Sequence, residues 1–241
     1  MRLVICLPTY NERANLEPIA RRLGEVLTEV EADPRVLVID DSSPDGTGEL
    51  ADRLSGELPF VSVLHRARKE GLGPAYVAGF GWALEQGADR IVQMDADFSH
   101  DPADVPRLVA AAESAGLTLG SRYVDGGGTE NWSAGRQAIS RFGSFYARTI
   151  LGVPVRDLTG GFKCWRREAL EALPLDRVRT KGYAFQIELT YRAIRAGSEV
   201  AEIPIVFAER RTGGSKMTRG IVLEAMWKVP ELRLRAARNR L

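Results

Sequence analysis

Arg90-Ile91-Val92-Gln93-Met94-Asp95-Ala96-Asp97 joins a mostly apolar run to two carboxylates one residue apart. A short apolar run reads as a strand buried on both faces, as in a parallel sheet. Acids directly after it stand at its carboxyl end, where ligands bind in open sheets of that kind. The same arrangement occurs twice upstream. Leu3-Val4-Ile5-Cys6-Leu7 runs into Pro8-Thr9-Tyr10-Asn11-Glu12, and Val36-Leu37-Val38-Ile39 into Asp40-Asp41-Ser42-Ser43-Pro44-Asp45-Gly46.

Between these runs apolar residues recur at helical spacing, as with Leu16, Ile19, Leu23, Val26, Leu27 and Val30. The spacing predicts helices over 16–30, 47–54, 74–84 and 105–115, alternating with strands that include 60–64. Such alternation predicts right-handed βαβ units and a mainly parallel sheet flanked by helices, an α/β fold. Beyond Leu117 come a predicted strand (117–120), a Gly126-Gly127-Gly128 loop, a helix (138–151), a turn and strand (160–165), a helix (183–196) and a strand (200–207). No repeat or low-complexity linker interrupts this, so residues 1–215 are expected to form one domain.

Residues 216–241 differ in character. Lys216, Arg219, Lys228, Arg233, Arg235, Arg238 and Arg240 face only Glu224 and Glu231, interleaved with Ile221, Val222, Leu223, Met226, Trp227, Val229, Leu232 and Leu234. The pattern fits one or two basic amphipathic helices interrupted at Pro230, able to lie on an anionic membrane surface.

Composition bounds the function. With 33 basic and 32 acidic residues among 241, the net charge of +1 gives no global pull toward nucleic acid, so none is expected as a partner. Cys6 and Cys164 both lie in apolar stretches, as buried thiols in a reducing compartment would. The N-terminus reads as a strand rather than a signal peptide, and no apolar run reaches the ~20 residues of a membrane span. Work on a membrane would then be done from its surface.

Asp95 and Asp97 in extended backbone point to one side, and their like charges call for a cation. Mg²⁺ or Mn²⁺ suits such hard oxygen ligands and leaves room for substrate phosphates. Asp101, just before Pro102, reads instead as a helix cap. Arg122, Arg136, Arg141 and the basic loop from Glu209 to Lys216 offer positive charge to phosphate. Gly71-Leu72-Gly73 lacks the third glycine of a dinucleotide fingerprint, there is no Walker or Gly-x-Ser-x-Gly motif, and two histidines are too few for a zinc site without thiolates.

The segments LPTYNERANL, VIDDSSPDGT, GLGPAYVAGF, MDADFSHDP, GSRYVDGG, DLTGGFKCWRREAL, KGYAF and ERRTGGSKM occur in this order between Leu7 and Met217. Together they resemble the polyprenol-phosphate (dolichol-phosphate) mannose synthases, family 2 glycosyltransferases of the Rossmann-like GT-A fold. The resemblance implies that Pro8, Tyr10, Glu12, Ile39 and Asp41 hold the guanosine of GDP-mannose, and that Asp95 and Ala96 line its ribose and diphosphate. Asp97 would bind the metal with Asp95, and Ser99 stands where some relatives carry a metal-binding Gln. Arg122, Arg210 and Lys216 would face the donor and acceptor phosphates, while Arg136 and Ser140, with Arg122 and Arg210, would receive the lipid phosphate. The implied reaction is inverting transfer of mannose to a polyprenyl monophosphate. Transfer of glucose or another hexose, and a nucleotide-sugar-binding subunit of weak activity, are the alternatives. The implied location is peripheral, on the cytoplasmic face of a membrane, with or without a membrane-protein partner.

Overall fold

The computed structural model describes residues 1–30, 32–178, 180, 182–209 and 219–238, with backbone alone for 183 and 219–225. Its first half alternates β1 (Arg2–Thr9), α1 (Arg13–Val26), β2 (Asp33–Asp40), α2 (Thr47–Glu57), β3 (Val61–His65), α3 (Leu72–Glu85) and β4 (Arg90–Gln93). β1 pairs in parallel with β2 on one side (Cys6 beside Leu37) and β4 on the other (Cys6 beside Gln93). The period-two alternation of β1 sends Leu3, Ile5 and Leu7 into one apolar layer with α1, and Val4 and Cys6 into another with α3. Burial on both faces explains why the strand sequence is uniformly apolar.

The chain continues through α4 (Val105–Ala111), β5 (Leu117–Ser121), β6 (Gly128–Thr129), α5 (Ala134–Leu151), β7 (Lys163–Arg166), α6 (Arg167–Glu171), α7 (Gly182–Arg195), β8 (Val200–Pro204), β9 (Val206–Phe207) and α8 (Arg219–Ala237). Among the described residues the main sheet has seven strands in the order β3-β2-β1-β4-β7-β5-β8. Strand order therefore reverses between β1 and β4, a topological switch point that opens a crevice at their carboxyl ends. β7 alone runs antiparallel to its neighbours, with Lys163 beside Gln93 and Arg166 beside Arg90. It enters at the carboxyl edge through Gly160-Gly161 instead of by a crossover helix, and its direction follows.

Four expectations shift. The helix expected over 105–115 stops at Ala111, and the one expected from Ala138 begins at Ala134, because the Ser133 side chain caps it by accepting from Arg136 N at 3.3 Å. The strand expected over 200–207 divides: Pro204 has no N–H to donate, β8 pairs with β5, and β9 leaves to form a two-stranded parallel ribbon with β6. α8 passes through Pro230 as one helix and buries Val229, Leu232 and Ala236 in the layer shared with α5 and α7.

Candidate active site

A cleft of about 300 Å³ occupies the switch point. Its outer half is lined by Pro8, Thr9, Tyr10 and Glu12 after β1, Asp41 after β2, and Lys69, Gly71, Leu72 and Ala75 before and within α3. Its inner half is lined by Asp95, Ala96, Asp97, His100, Arg122, Thr159, Gly160, Gly161, Gln186 and Phe207. The loops after β1, β2 and β4 each turn through a non-glycine residue in the left-handed region, Asn11, Ser42 and Phe98, with φ of 59°, 56° and 62°. These sharp turns bend the chain off the strand ends, so that residues immediately following an apolar run line the crevice.

Asp97 is buried and accepts from the backbone N of Ser99 at 3.0 Å. Asp95 is partly exposed; its N donates to His100 Nδ1 at 3.1 Å, and Tyr76 O–H donates to its Oδ1 at 3.5 Å. The accepting Nδ1 fixes the tautomer of His100, and burial lowers that imidazole's pKa, so it is neutral. Asp101 accepts from Ala103 N at 2.9 Å as the cap of the following turn, as its place before Pro102 leads one to expect.

Arg122, at the end of β5, is 4% exposed and forks onto Asp157, with Nε–Oδ2 and Nη2–Oδ1 both 2.7 Å and its own backbone N on Oδ2 at 3.0 Å. Burial alone would raise the Asp157 carboxyl, but the Arg122 charge and hydrogen bonds outweigh it and hold the pKa low. Thr159 accepts from Arg122 Nη2 at 2.8 Å. Arg122 is thus a rigidly held cation at the inner wall. On the outer wall, burial raises the Asp41 carboxyl against the opposing effect of its ion pair with Arg66. Lys69 Nζ sits 3.7 Å over the Tyr10 ring.

Not every expected residue reaches the cleft. Ile39 is fully buried and turns toward α3, where a Cβ on Gly79 would lie 2.4 Å from its Cδ1. Ser99 sends its backbone N to Asp97, while its buried Oγ has no partner among the described residues. Arg136 stacks on Trp132 at 4.0 Å and pairs with Glu209 at 2.8 Å, and Ser140 accepts from Tyr123 O–H at 2.7 Å; both lie on α5, beside the lining. Arg210 and Lys216 fall outside the described residues. Lys69, His100, Asp157, Thr159 and Gln186 join the site without having been singled out for it. Asp157, Thr159 and Gly160 sit inside the DLTGGF segment and His100 inside MDADFSHDP, five residues from the Asp95 whose N it meets; Lys69 and Gln186 lie in neither segment.

No three His, Cys, Asp or Glu side chains gather into a closed metal cage among the described residues. Two carboxylates on one open wall are a fitting donor set for a hard divalent cation whose remaining positions are filled by phosphate oxygens and water.

Residues 4–173 match the family described as Glycosyl transferase family 2. Over 229 residues the chain is 48% identical to the undecaprenyl-phosphate mannosyltransferase of Micrococcus luteus, covering 95% of this chain and 93% of that one. It is 47% identical to the polyprenol monophosphomannose synthase of Mycolicibacterium smegmatis, covering 99% of this chain and 89% of the other. Among solved structures it resembles the glucosyl-3-phosphoglycerate synthase of Mycobacterium tuberculosis in complex with Mn²⁺, UDP-glucose and phosphoglyceric acid. The TM-score is 0.70 at 20% identity, covering 96% of this chain and 79% of that one, a likeness of fold. Matched over most of its length and folded as a GT-A sheet with acids at its switch point, the chain belongs to glycosyl transferase family 2 and is a glycosyltransferase.

Proposed function

We propose that the protein transfers mannose from GDP-mannose to a polyprenyl monophosphate, with inversion at the anomeric carbon, giving β-mannosyl phosphoryl polyprenol and GDP. The observation that carries this reading is the cleft at the switch point, which Asp95 and Asp97 line together with the clamped Arg122. The names of the two relatives at 48% and 47% identity support the sugar and the acceptor class.

Guanine presents N1–H and N2–H₂ donors on one edge, and the carboxylates of Glu12 and Asp41 are acceptors in the outer half of the cleft. Tyr10, under Lys69, offers a ring for the base to stack on. In this reading Asp97 and Asp95 hold Mg²⁺ or Mn²⁺, which when bound would neutralise the diphosphate and the charge growing on the departing GDP. Arg122, whose partner Asp157 prevents it from swinging away, holds the phosphates electrostatically without reorganising during the reaction. Arg210 and Lys216 are proposed to add positive charge, and Arg136 and Ser140 to meet the lipid phosphate. A phosphate monoester has a second pKa near ~6 and is largely dianionic at neutral pH, so it attacks without a general base. That suits a cleft whose one histidine, His100, is buried and already accepting a hydrogen bond.

No described helix is long and apolar enough to cross a membrane. The proposed enzyme meets its lipid from the cytoplasmic face, attached peripherally with the help of the basic α8 or of a membrane partner. The test is transfer of labelled mannose from GDP-mannose into organic-extractable lipid with polyprenyl phosphate and Mg²⁺ or Mn²⁺. Label is expected with the native protein and a loss of at least ~100-fold with Asp97→Ala. Turnover with UDP-glucose exceeding that with GDP-mannose would replace the donor. Metal-dependent GDP binding without turnover on any acceptor would leave a binding subunit.

A further inference from the structure

A buried chain of side chains behind the cleft leaves one amide group unsatisfied. Trp165, on β7, is completely buried, and its indole N–H can only donate. Gln93, at the end of β4, accepts it through Oε1 at 2.6 Å. The other end of that amide is therefore its NH₂, which donates to Oε1 of Gln186, on α7, at 3.4 Å. Lys163 Nζ donates to the same Oε1 at 2.9 Å. With two donors on its oxygen the Gln186 amide is fixed in one orientation, and Nε2 is turned away from both.

Gln186 is 2% exposed, and its Nε2 has no acceptor among the described residues. Buried amide N–H groups are nearly always paired, because an unmet donor costs the full desolvation of the group. Gln186 nevertheless lines the inner half of the cleft, beside Gly160, Gly161 and His100. A Cβ on Gly161 would lie 3.3 Å from Nε2 and 3.7 Å from His100 Cε1, tight enough to crowd the amide. Gly161 is not one of the glycines with a left-handed φ, so its backbone does not require glycine. Space for the NH₂ accounts for the missing side chain.

The chemistry of the group narrows what it meets. An amide NH₂ is a neutral, directional donor that takes an oxygen, and phosphate in this cleft already has Arg122 and, in the proposed reading, a divalent cation. Along a nucleotide sugar the hexose follows the diphosphate. With the base at Glu12 and Asp41 and the diphosphate at Asp95 and Asp97, the hexose falls in the inner half of the cleft, with Gln186. Pockets orient ligands through a few fixed polar groups of this kind, and a group placed to bond a hydroxyl rejects a ligand that lacks it. We infer that Gln186 is a sugar-recognition residue: its Nε2, oriented by Lys163 and Gln93, donates to a hydroxyl oxygen of the transferred hexose. The assignment rests on the proposed nucleotide-sugar reading and adds to it a contact that selects the sugar.

Calorimetric titration of the full chain with GDP and with GDP-mannose, in Mg²⁺ or Mn²⁺ and without acceptor, isolates the contact, because the two ligands differ by the hexose. Gln186→Met is expected to bind GDP as the native protein does and GDP-mannose about 3-fold to 10-fold more weakly. Gly161→Ala keeps the Lys163 bond and crowds Nε2 with a methyl group. It is expected to show the same selective loss, and it decides the outcome if Gln186→Met does not fold. Donors deoxygenated at C2, C3, C4 or C6 of the mannose identify the partner hydroxyl. One of them is expected to bind the native protein about 3-fold to 10-fold more weakly than GDP-mannose, while Gln186→Met binds the two alike within about 2-fold. Equal weakening of GDP and GDP-mannose assigns the amide to a phosphate and overturns the proposal. Unchanged GDP-mannose affinity in both variants overturns it as well, the amide then being satisfied by water. So does a Gln186→Met protein that loses as much affinity for all four deoxygenated donors as for GDP-mannose. A native protein that binds neither GDP nor GDP-mannose removes the donor reading and this assignment together, whereas native binding of both with any of the preceding failures removes the assignment alone.

Discussion

Lys163 is completely buried on β7, and burial lowers its pKa to about 7, with Asp157 opposing only weakly. The geometry agrees with a neutral amine: Nζ donates to the backbone O and to Oε1 of Gln186, both at 2.9 Å, two bonds for two N–H groups. Gln93 passes the order on, since it accepts from Trp165 Nε1 at 2.6 Å and turns its amide toward Gln186 Oε1 at 3.4 Å. A lysine lowered from 10.5 binds its proton less tightly folded than unfolded, so stability is lost as pH falls from the unfolded value toward 7 and is level below it. Between pH 7 and 9.5 the native protein is therefore expected to gain roughly 2–3 kcal/mol relative to Lys163→Met, read from urea midpoints of both proteins at each pH. Parallel pH profiles would show the amine to be charged in the fold. Nothing local in the sequence distinguishes Lys163 from a surface lysine beside Cys164, nor Asp157 from a loop acid. Their places depend on β7 entering between β4 and β5, a pairing over seventy residues for Gln93 and Lys163. Asp95 and Asp97 are legible for the opposite reason: an acid directly after a buried run is placed by its own strand.

The helices show the same division between local and long-range control. Hydrophobic spacing finds α1 and α3 because one face of each is apolar and buried. It marks only the second part of α5, whose first turns carry Arg136 and Gln137, and it does not reveal that the apolar stripe of this helix faces outward. α8 presents a different case. Pro230 has no N–H, so the carbonyl four residues earlier, that of Met226, loses its partner within the helix. The Tyr146 hydroxyl occupies that acceptor at 2.8 Å, which lets the helix run on through the proline at which the sequence suggests an interruption. Tyr146→Phe removes the hydroxyl and leaves the carbonyl to water, at a cost of about 1 kcal/mol. Because the contact joins two helices, the loss is expected to appear as faster amide exchange in α8 with exchange in β1 and β4 unchanged. Uniform acceleration through the sheet would instead mean that the hydroxyl supports the global fold.

The two apolar layers give the molecule two unlike sides. The layer on α1, α2 and α4 closes one side, while α3, α5, α7 and α8 close the other, with the cleft at the carboxyl edge between them. α8 lies within the second layer: Val229, Leu232 and Ala236 are 1%, 2% and 3% exposed, in one cluster with Leu151, Trp165 and Tyr191. The basic composition of this segment suggests an appendage, but its i, i+3 and i+7 apolar residues are spent on the core. Among the described residues its outward apolar side chains are Met226, Trp227 and Leu234. Removing residues 226–241 would uncover the cluster, and burial of one Val and one Leu is worth about 1.5–3 kcal/mol each. At ~2–4 °C per kcal/mol for a chain of this size, the thermal midpoint is expected to fall by roughly 6–24 °C. Scanning calorimetry of both chains checks this, and GDP binding at low temperature separates lost stability from a lost site. A truncated chain that melts with the native one would make α8 an appendage after all. A truncated chain that melts early but still binds GDP when cold would mean that α8 secures the wall behind α5, while the strand ends hold the cleft by themselves.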